Sequence, residues 1–293
     1  PSGPLARAVA DLDPGESWLV EPHPLDDSGR LWRPGVRVGV RPGSWFHRTE
    51  CFGPVLGVLR ADDLDHAIAI QNDSTFGLTG GIHSLDPAEI DQWTARVEVG
   101  NAYVNRGITG AVVQRQPFGG WKRSSVGAGT KAGGPSYVLQ FARIDEPASW
   151  PIDAVRRSYE HWWATWFTVD HDPTGLAAES NVLRHRPVPR VVVHHRGESI
   201  GLERIRLAAR ITGVETVEVD GRTTGDEAFL ARLDSTDRVR FLDEPTDALR
   251  RGCVDRGIWA AVGRPSPHGR VELVHWVREQ AISRTLHRHG RLP

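Results

Sequence analysis

Between residues 191 and 262 the chain alternates short β-branched runs with amphipathic stretches, and this rhythm restricts the fold more than any other feature. The runs Val191–Val193, Thr216–Val219, Val239–Leu242 and Ile258–Val262 predict strands. The stretches near Glu203–Ile211, Asp226–Leu233 and Asp247–Asp255 predict the helices between them, and a last helix is expected over roughly Leu273–Ser283. Strands separated by helices at this spacing pair in parallel, because a parallel neighbour needs a crossover of about this length. Upstream, Tyr159, Trp162, Trp163, Trp166 and Phe167 fall at i, i+3, i+4, i+7 and i+8, one aromatic helical face. Such a face could stack on a nucleotide; packing against a neighbouring domain is the expectation.

The first half has a different texture. Val55–Leu59 reads as a buried strand, and Asp62 or Asp63 caps a helix carrying Leu64, Ala67, Ile68 and Ile70. Leu78–His83 predicts a Gly-rich strand. Asp86-Pro87 predicts a capped helix start, with Glu89 in the first turn and an end near Val97, followed by a strand over Ala102–Asn105. Two prolines interrupt regular structure at residues 144–152. The expected organisation is α/β throughout: a first domain over 1–146, a helical connector over 147–180 and a Rossmann-like domain over 181–293.

Composition removes several classes of function. A formal net charge of -1, with acids interleaved among the arginines, gives no footprint for nucleic acid or an anionic membrane. No apolar run approaches the length of a membrane span. Two cysteines, Cys51 and Cys253, cannot build a disulfide framework or a four-thiolate zinc site, so a reduced, cytoplasmic protein is expected. The histidine pairs His194-His195 and His287 with His289 lack zinc-site spacing. The sequence starts at Pro1 and holds no Met, which suggests processing or, preferably, an incomplete reading frame.

Chemistry concentrates in three segments. Thr49-Glu50-Cys51-Phe52-Gly53-Pro54 sets a carboxylate, able to accept from a ribose diol, two residues before an aromatic ring able to press on a heterocycle. Gly100-Asn101-Ala102-Tyr103-Val104-Asn105 and Pro117-Phe118-Gly119-Gly120-Trp121-Lys122-Arg123-Ser124 follow in order. Together they resemble the Glu-x-Phe-Gly-Pro, Gly-Asn-x-Tyr-Val-Asn and Pro-Phe-Gly-Gly-x-Lys-x-Ser motifs of the aldehyde dehydrogenase superfamily. Arg106, Gly110-Ala111-Val112-Val113 and Lys131-Ala132-Gly133-Gly134-Pro135 narrow the resemblance to L-glutamate γ-semialdehyde dehydrogenases, especially the dehydrogenase module of bifunctional proline utilization A. The similarity is strong over residues 1–143. Beyond it, Asn181–Pro187 and Arg278–Arg288 resemble the extra C-terminal domain of the longer enzymes of that family, to which a structural, assembly or channel-sealing part is given.

The resemblance implies a fold, the C-terminal part of an aldehyde dehydrogenase catalytic domain followed by a degenerate Rossmann-like domain, and a set of roles. Glu50 would bind the nicotinamide ribose of NAD and Phe52 the nicotinamide ring. Phe118, Ser124, Gly127 and Ala128 would contact the semialdehyde, the loop from Ser124 to Gly134 holding its α-carboxylate and amino group; small residues suit an anion-binding nest of backbone amides. A cysteine thiolate attacks the aldehyde, hydride passes to NAD, and a glutamate base directs water onto the thioester. That cysteine and that base are expected upstream of this chain, so the 293 residues alone should be inactive. A FAD-dependent proline dehydrogenase domain further upstream and a homo-oligomer are implied as well. Cys51 sits at the variable position of its motif, Cys253 reads as a helix-end residue, and His47 as a polar loop residue. Gly197-Glu198-Ser199-Ile200-Gly201 lacks the full dinucleotide spacing, and Glu198 puts negative charge where a phosphate would sit, so no second nucleotide site is expected. The alternative reading is a non-catalytic assembly module derived from an aldehyde dehydrogenase; a broad-specificity aldehyde dehydrogenase is disfavoured by Lys131–Pro135.

Overall fold

A computed structural model describes residues 1–113, 115–125, 127–142, 144 and 150–286. Most of the expected junction at 144–152, Val126 in the Gly-rich loop, and the tail histidines His287 and His289 lie outside the described residues. The described residues form two compact units: residues 1–75 with 86–97, and 76–85 with the described residues from 98 onward.

The first unit holds α1 (Gly3–Ala10), β1 (Ser17–Val20), the short pair β2 (His23–Pro24) and β3 (Trp32–Arg33), β4 (Gly35–Val38), α2 (Trp45–Arg48), β5 (Val55–Val58), α3 (Leu64–Asn72) and α4 (Pro87–Arg96). β4 is the central strand, antiparallel to β1 and parallel to β5. Both helix starts read from the sequence are present. Asp63 accepts from the His66 amide at 2.8 Å and Asp86 from the Ala88 amide at 2.8 Å, each satisfying a donor the first turn leaves orphaned. The expected burial of the strand at 55–59 is corrected: β5 lies at the sheet edge, its side chains alternate, and Leu56 (60%) and Val58 (38%) are exposed.

In the second unit, β6 (Phe76–Gly77) pairs with β9 (Trp121–Lys122), and β7 (Thr79–Ile82) lies parallel to β8 (Asn101–Val104). The aromatic face is built by α5 (Ile152–Trp162) and a π-helical turn over Trp163–Phe167. Tyr159 and Phe167 are buried there, and the three tryptophans pack against the cluster containing Val191, Val193, Leu202 and Ile205. β10 (Glu179–Pro187) follows, then β11 (Arg190–His195), α6 (Ile200–Thr212), β12 (Glu215–Asp220), α7 (Asp226–Leu230), β13 (Arg238–Phe241), α8 (Asp247–Asp255) and β14 (Ala260–Val262). The four later strands make an all-parallel sheet in the order β12-β11-β13-β14, the arrangement the strand–helix rhythm predicts.

The expected last helix is the main correction. α9 covers only Gly269–Glu272, a 3-10 turn continues over Leu273–Trp276, and β15 runs from Val277 to Thr285. β15 lies between β10, to which it is antiparallel, and β8, to which it is parallel. Short apolar runs suit either periodicity, and here partners on both edges decide. Its polar residues are buried because they reach across: Gln280 takes the Arg184 guanidinium at 2.7 Å and donates to the Val99 carbonyl at 2.8 Å. This pairing is also why residues 98–142 share a unit with the C-terminal region.

Candidate functional site

Glu50 and Phe52 belong to the first unit, and Phe118, Ser124, Gly127 and Ala128 to the second. Glu50 follows α2 and is exposed; among the described residues its carboxylate takes no hydrogen bond. Phe52 is 84% exposed with φ +46°, a left-handed backbone that is rare and costly for an aromatic residue. Between them, Cys51 lies with Sγ 3.6 Å from the Thr49 carbonyl, and burial pushes its thiol up, the opposite of activation. Both ring nitrogens of His47 are committed, one accepting from the Gly43 amide at 2.9 Å and the other 3.0 Å from the Ile70 carbonyl. It sits in α2 rather than in a loop.

The second and third motifs are stitched together. The Asn101 side chain accepts from the Gly119 amide at 3.1 Å and donates to the Pro117 carbonyl at 3.1 Å. Phe118 exchanges backbone hydrogen bonds with Ala132 at 2.9 and 3.0 Å, closing the Gly-rich loop at its base. Asn105, at φ +56°, holds both backbone groups of Ser84, and Lys122, at φ +51°, pairs with Glu98 at 2.8 Å. Among the described residues the three non-glycine positions with positive φ are therefore one in each motif: Phe52, Asn105 and Lys122. Strain of this kind persists where the surrounding structure holds it.

Within the loop, the Ser124 hydroxyl accepts from the Gly77 amide at 3.2 Å. Gly127 and Gly129 are left-handed, at φ +61° and +72°, with Ala128 buried between them. Among the described residues the amides of Gly127, Ala128, Gly129 and Thr130 take part in no hydrogen bond. The carbonyl of Ala128 is taken by Arg238 Nη2 at 2.8 Å, and the amide of Lys131 by Glu279 Oε2 at 2.8 Å. Arg270 reaches the Ser136 hydroxyl through both terminal nitrogens at 3.2 Å. These C-terminal partners of the loop lie more than a hundred residues away, and no local pattern in the sequence signals them.

Lys131 is fully buried, with Nζ donating to the Gly119 carbonyl and, at 3.3 Å, to Asn101. Burial pushes its ammonium down to about 7, and Glu279, 3% exposed, is pushed up for the same reason. Because the Lys131 pKa is depressed from 10.5, the unfolded chain binds more protons between about pH 7 and 10.5. Stability should therefore climb with pH across that window, by up to about 1.4 kcal/mol per unit, and lose this slope in Lys131→Met. Urea midpoints at several pH values check it: parallel pH profiles for the two proteins would rule out a buried, titrating Lys131.

In the parallel sheet, Cys253 is buried in α8 and its thiol pushed up by burial despite Arg256, consistent with a core residue. His194 is a core histidine against Phe229 and Phe241. At the ends of β11 and β13, Gly197–Gly201, Arg196, Asp243 and Arg264 line a cleft of about 420 Å³. Glu198, expected to oppose a phosphate there, is instead neutralised by Arg206 at 2.8 and 3.0 Å. No helix of the described residues is long and apolar enough to cross a membrane.

The Glu-x-Phe turn and the Gly-rich loop both fall within residues 11–145, which match the family model described as the aldehyde dehydrogenase family. A 1-pyrroline-5-carboxylate dehydrogenase of Geobacillus sp. (strain WCH70) is 42% identical over 114 residues, covering 39% of this chain and 22% of that protein. The Bacillus cytotoxicus protein of the same name is 42% identical over 113 residues, with the same two shares, 39% and 22%. A solved structure of proline utilization A from Corynebacterium freiburgense is 44% identical with a TM-score of 0.86, the match covering 100% of this chain and 31% of that one. The chain thus spans less than a third of the length of each of these relatives, and the likeness to the last includes the parallel-sheet region.

Proposed function

We propose that these residues supply the cofactor-ribose and substrate-carboxylate contacts of an NAD-dependent L-glutamate γ-semialdehyde dehydrogenase, in a bifunctional protein whose FAD-dependent proline dehydrogenase lies elsewhere in the polypeptide. The observation that carries the reading is the run of four uncommitted amides at 127–130, flanked and divided by left-handed glycines. Successive N–H groups arranged this way make a concavity for an anion, here the α-carboxylate of the semialdehyde. Ser124 keeps its hydroxyl proton to donate, and Phe118 would bound the aliphatic part of the substrate. Domain roles follow: 1–146 dehydrogenase, 147–180 connector, and 181–293 a non-catalytic Rossmann-like domain.

The exposed Glu50 carboxylate and the exposed, strained Phe52 ring fit NAD, since each offers a surface that the described chain leaves uncovered. Bound NAD supplies the hydride acceptor. Glu50 would hold the ribose diol by two charge-assisted hydrogen bonds, and Phe52 would press the nicotinamide toward the aldehyde. The nucleophilic cysteine and the general base come, on this reading, from residues outside the 293, since neither Cys51 nor Cys253 is activated.

In the complete enzyme Glu50→Ala should raise the KM for NAD about tenfold or more, the loss of charged hydrogen bonds to a ligand, with little change in melting temperature. Steady-state kinetics with NAD varied is the measurement, and an unchanged KM would remove Glu50 from the ribose. The 293 residues alone should produce no NADH with glutamate semialdehyde; measurable turnover would return Cys51 to consideration as nucleophile.

A further inference from the structure

We propose that Arg238 and Glu279, both from the C-terminal region, are positioning residues that orient the 127–131 segment and so set its affinity for a substrate carboxylate, an inference that rests on the carboxylate reading of that loop. Arg238 leaves β13 with 8% exposure and divides its fork between two carbonyls, Val274 at 3.0 Å and Ala128 at 2.8 Å. Its guanidinium lies 5.5 Å from the Trp259 ring centroid, which packs its third side. Held at two oxygens and against a ring, it has one geometry.

That geometry acts on the loop through the peptide plane. In a trans peptide the carbonyl of one residue and the amide of the next point in opposite directions. Drawing the Ala128 carbonyl toward β13 therefore turns the Gly129 amide away from the sheet. Gly127 and Gly129, both left-handed, let the backbone obey this pull on either side of Ala128. At the other end Glu279 takes the Lys131 amide, the first amide after the uncommitted run, and a hydrogen bond from the Ser136 side chain. Arg270 holds Ser136 from a third element, α9. The two charged side chains thus hold the Ala128 carbonyl and the Lys131 amide, while among the described residues the four amides of 127–130 stay unbonded.

Burying a guanidinium and a carboxylate is expensive, and apolar residues of similar volume fill a core as well or better. Mere attachment of the loop does not call for two buried charged side chains bonded to its backbone. Orientation does, because a charged donor or acceptor fixes the direction of the group it bonds.

The test uses the complete enzyme with two aldehydes, glutamate semialdehyde and butanal, which lacks the α-carboxylate. Arg238→Lys keeps the charge but cannot reach two carbonyls at once. It should raise the KM for the semialdehyde roughly tenfold or more while kcat and the KM for NAD stay within about twofold, since only orientation of one loop is lost. Its kcat/KM for butanal should equal that of the wild type. Glu279→Ala should behave the same way, and Glu279→Gln, which keeps an acceptor for the Lys131 amide, should restore the wild-type KM. Equal losses on both aldehydes would mean a structural role only, and an unchanged semialdehyde KM would mean none; either overturns the proposal. Should Arg238→Lys fail to accumulate, the Glu279 pair decides alone. The wild type is measured first: if it does not favour the semialdehyde over butanal, the carboxylate reading itself fails, independently of either variant.

Discussion

Gly100→Ala should cost the protein about 3 kcal/mol or more, the upper end for an overpacked core, although it adds a single methyl. Gly100 immediately precedes β8, its amide bonded to the Gly77 carbonyl and its carbonyl to the Ala281 amide, each at 2.9 Å. A Cβ there would overlap the Gly119 carbonyl oxygen and stand 2.8 Å from both Gly120 Cα and Lys131 Nζ. None of these neighbours can give way cheaply. The Gly119 carbonyl is held by Lys131, and its amide by Asn101 at 3.1 Å. Moving the Gly119 strand would also pull on Phe118 and Ala132, the base of the proposed carboxylate loop. Urea denaturation followed by tryptophan fluorescence reads the loss. Gly107→Ala and Gly225→Ala, where an added Cβ meets nothing within 4 Å, should stay within about 0.5 kcal/mol of wild type. If all three alanines were equally mild, the close approach of β8 to the Gly-Gly-Trp segment would be wrong.

The prominence of Gly100 also marks what the sequence can say. Its motif, Gly-Asn-x-Tyr-Val-Asn, is readable as a string, and so are Asp63, Asp86-Pro87 and Asp247–Asp255, whose signals act within one turn of helix. The parallel sheet at β11–β14 was legible for a related reason: alternation of β-branched runs and amphipathic helices is a local pattern with one economical topology. β15 was not. Its strand character comes from β10 and β8 on either edge, and β8 lies 180 residues back at the Ala281–Asn101 pairing, arithmetic that no window along the chain captures. The exposure of Leu56 and Val58 is hidden for the same reason, since an apolar run reports strand character but not which face is covered. In the candidate site the motif residues Glu50, Phe52, Phe118 and Ser124 were named from the string. The strain at Phe52 and the grip of Arg238 on Ala128 emerge only when φ angles and long-range contacts are known.

Glu16→Gln should destabilise the first unit by about 3 kcal/mol or more, because it leaves a buried guanidinium without its counter-ion. Arg37 and Glu16 form an ion pair in which each side chain is 1% exposed. Arg37 crosses the sheet face from β4, donating also to the Asp11 carbonyl at 3.1 Å, with its cation 4.3 Å from the Phe46 ring centroid. Glu16 accepts from the Asp13 amide at 3.0 Å. The network is nonetheless incomplete, since among the described residues Glu16 Oε1 and Arg37 Nε have no hydrogen-bond partner. A half-satisfied buried pair is a poor source of stability even though breaking it is costly. That asymmetry gives the prediction its second part. Arg37→Met keeps the stem that packs on Phe46, and combined with Glu16→Leu it removes both charges together. The double variant should return to within about 1 kcal/mol of wild type, while each single substitution is severe. A double-mutant cycle on urea midpoints measures the coupling directly. Additive losses would show that Arg37 and Glu16 act through separate contacts, and that the salt bridge is not what holds Arg37 in place.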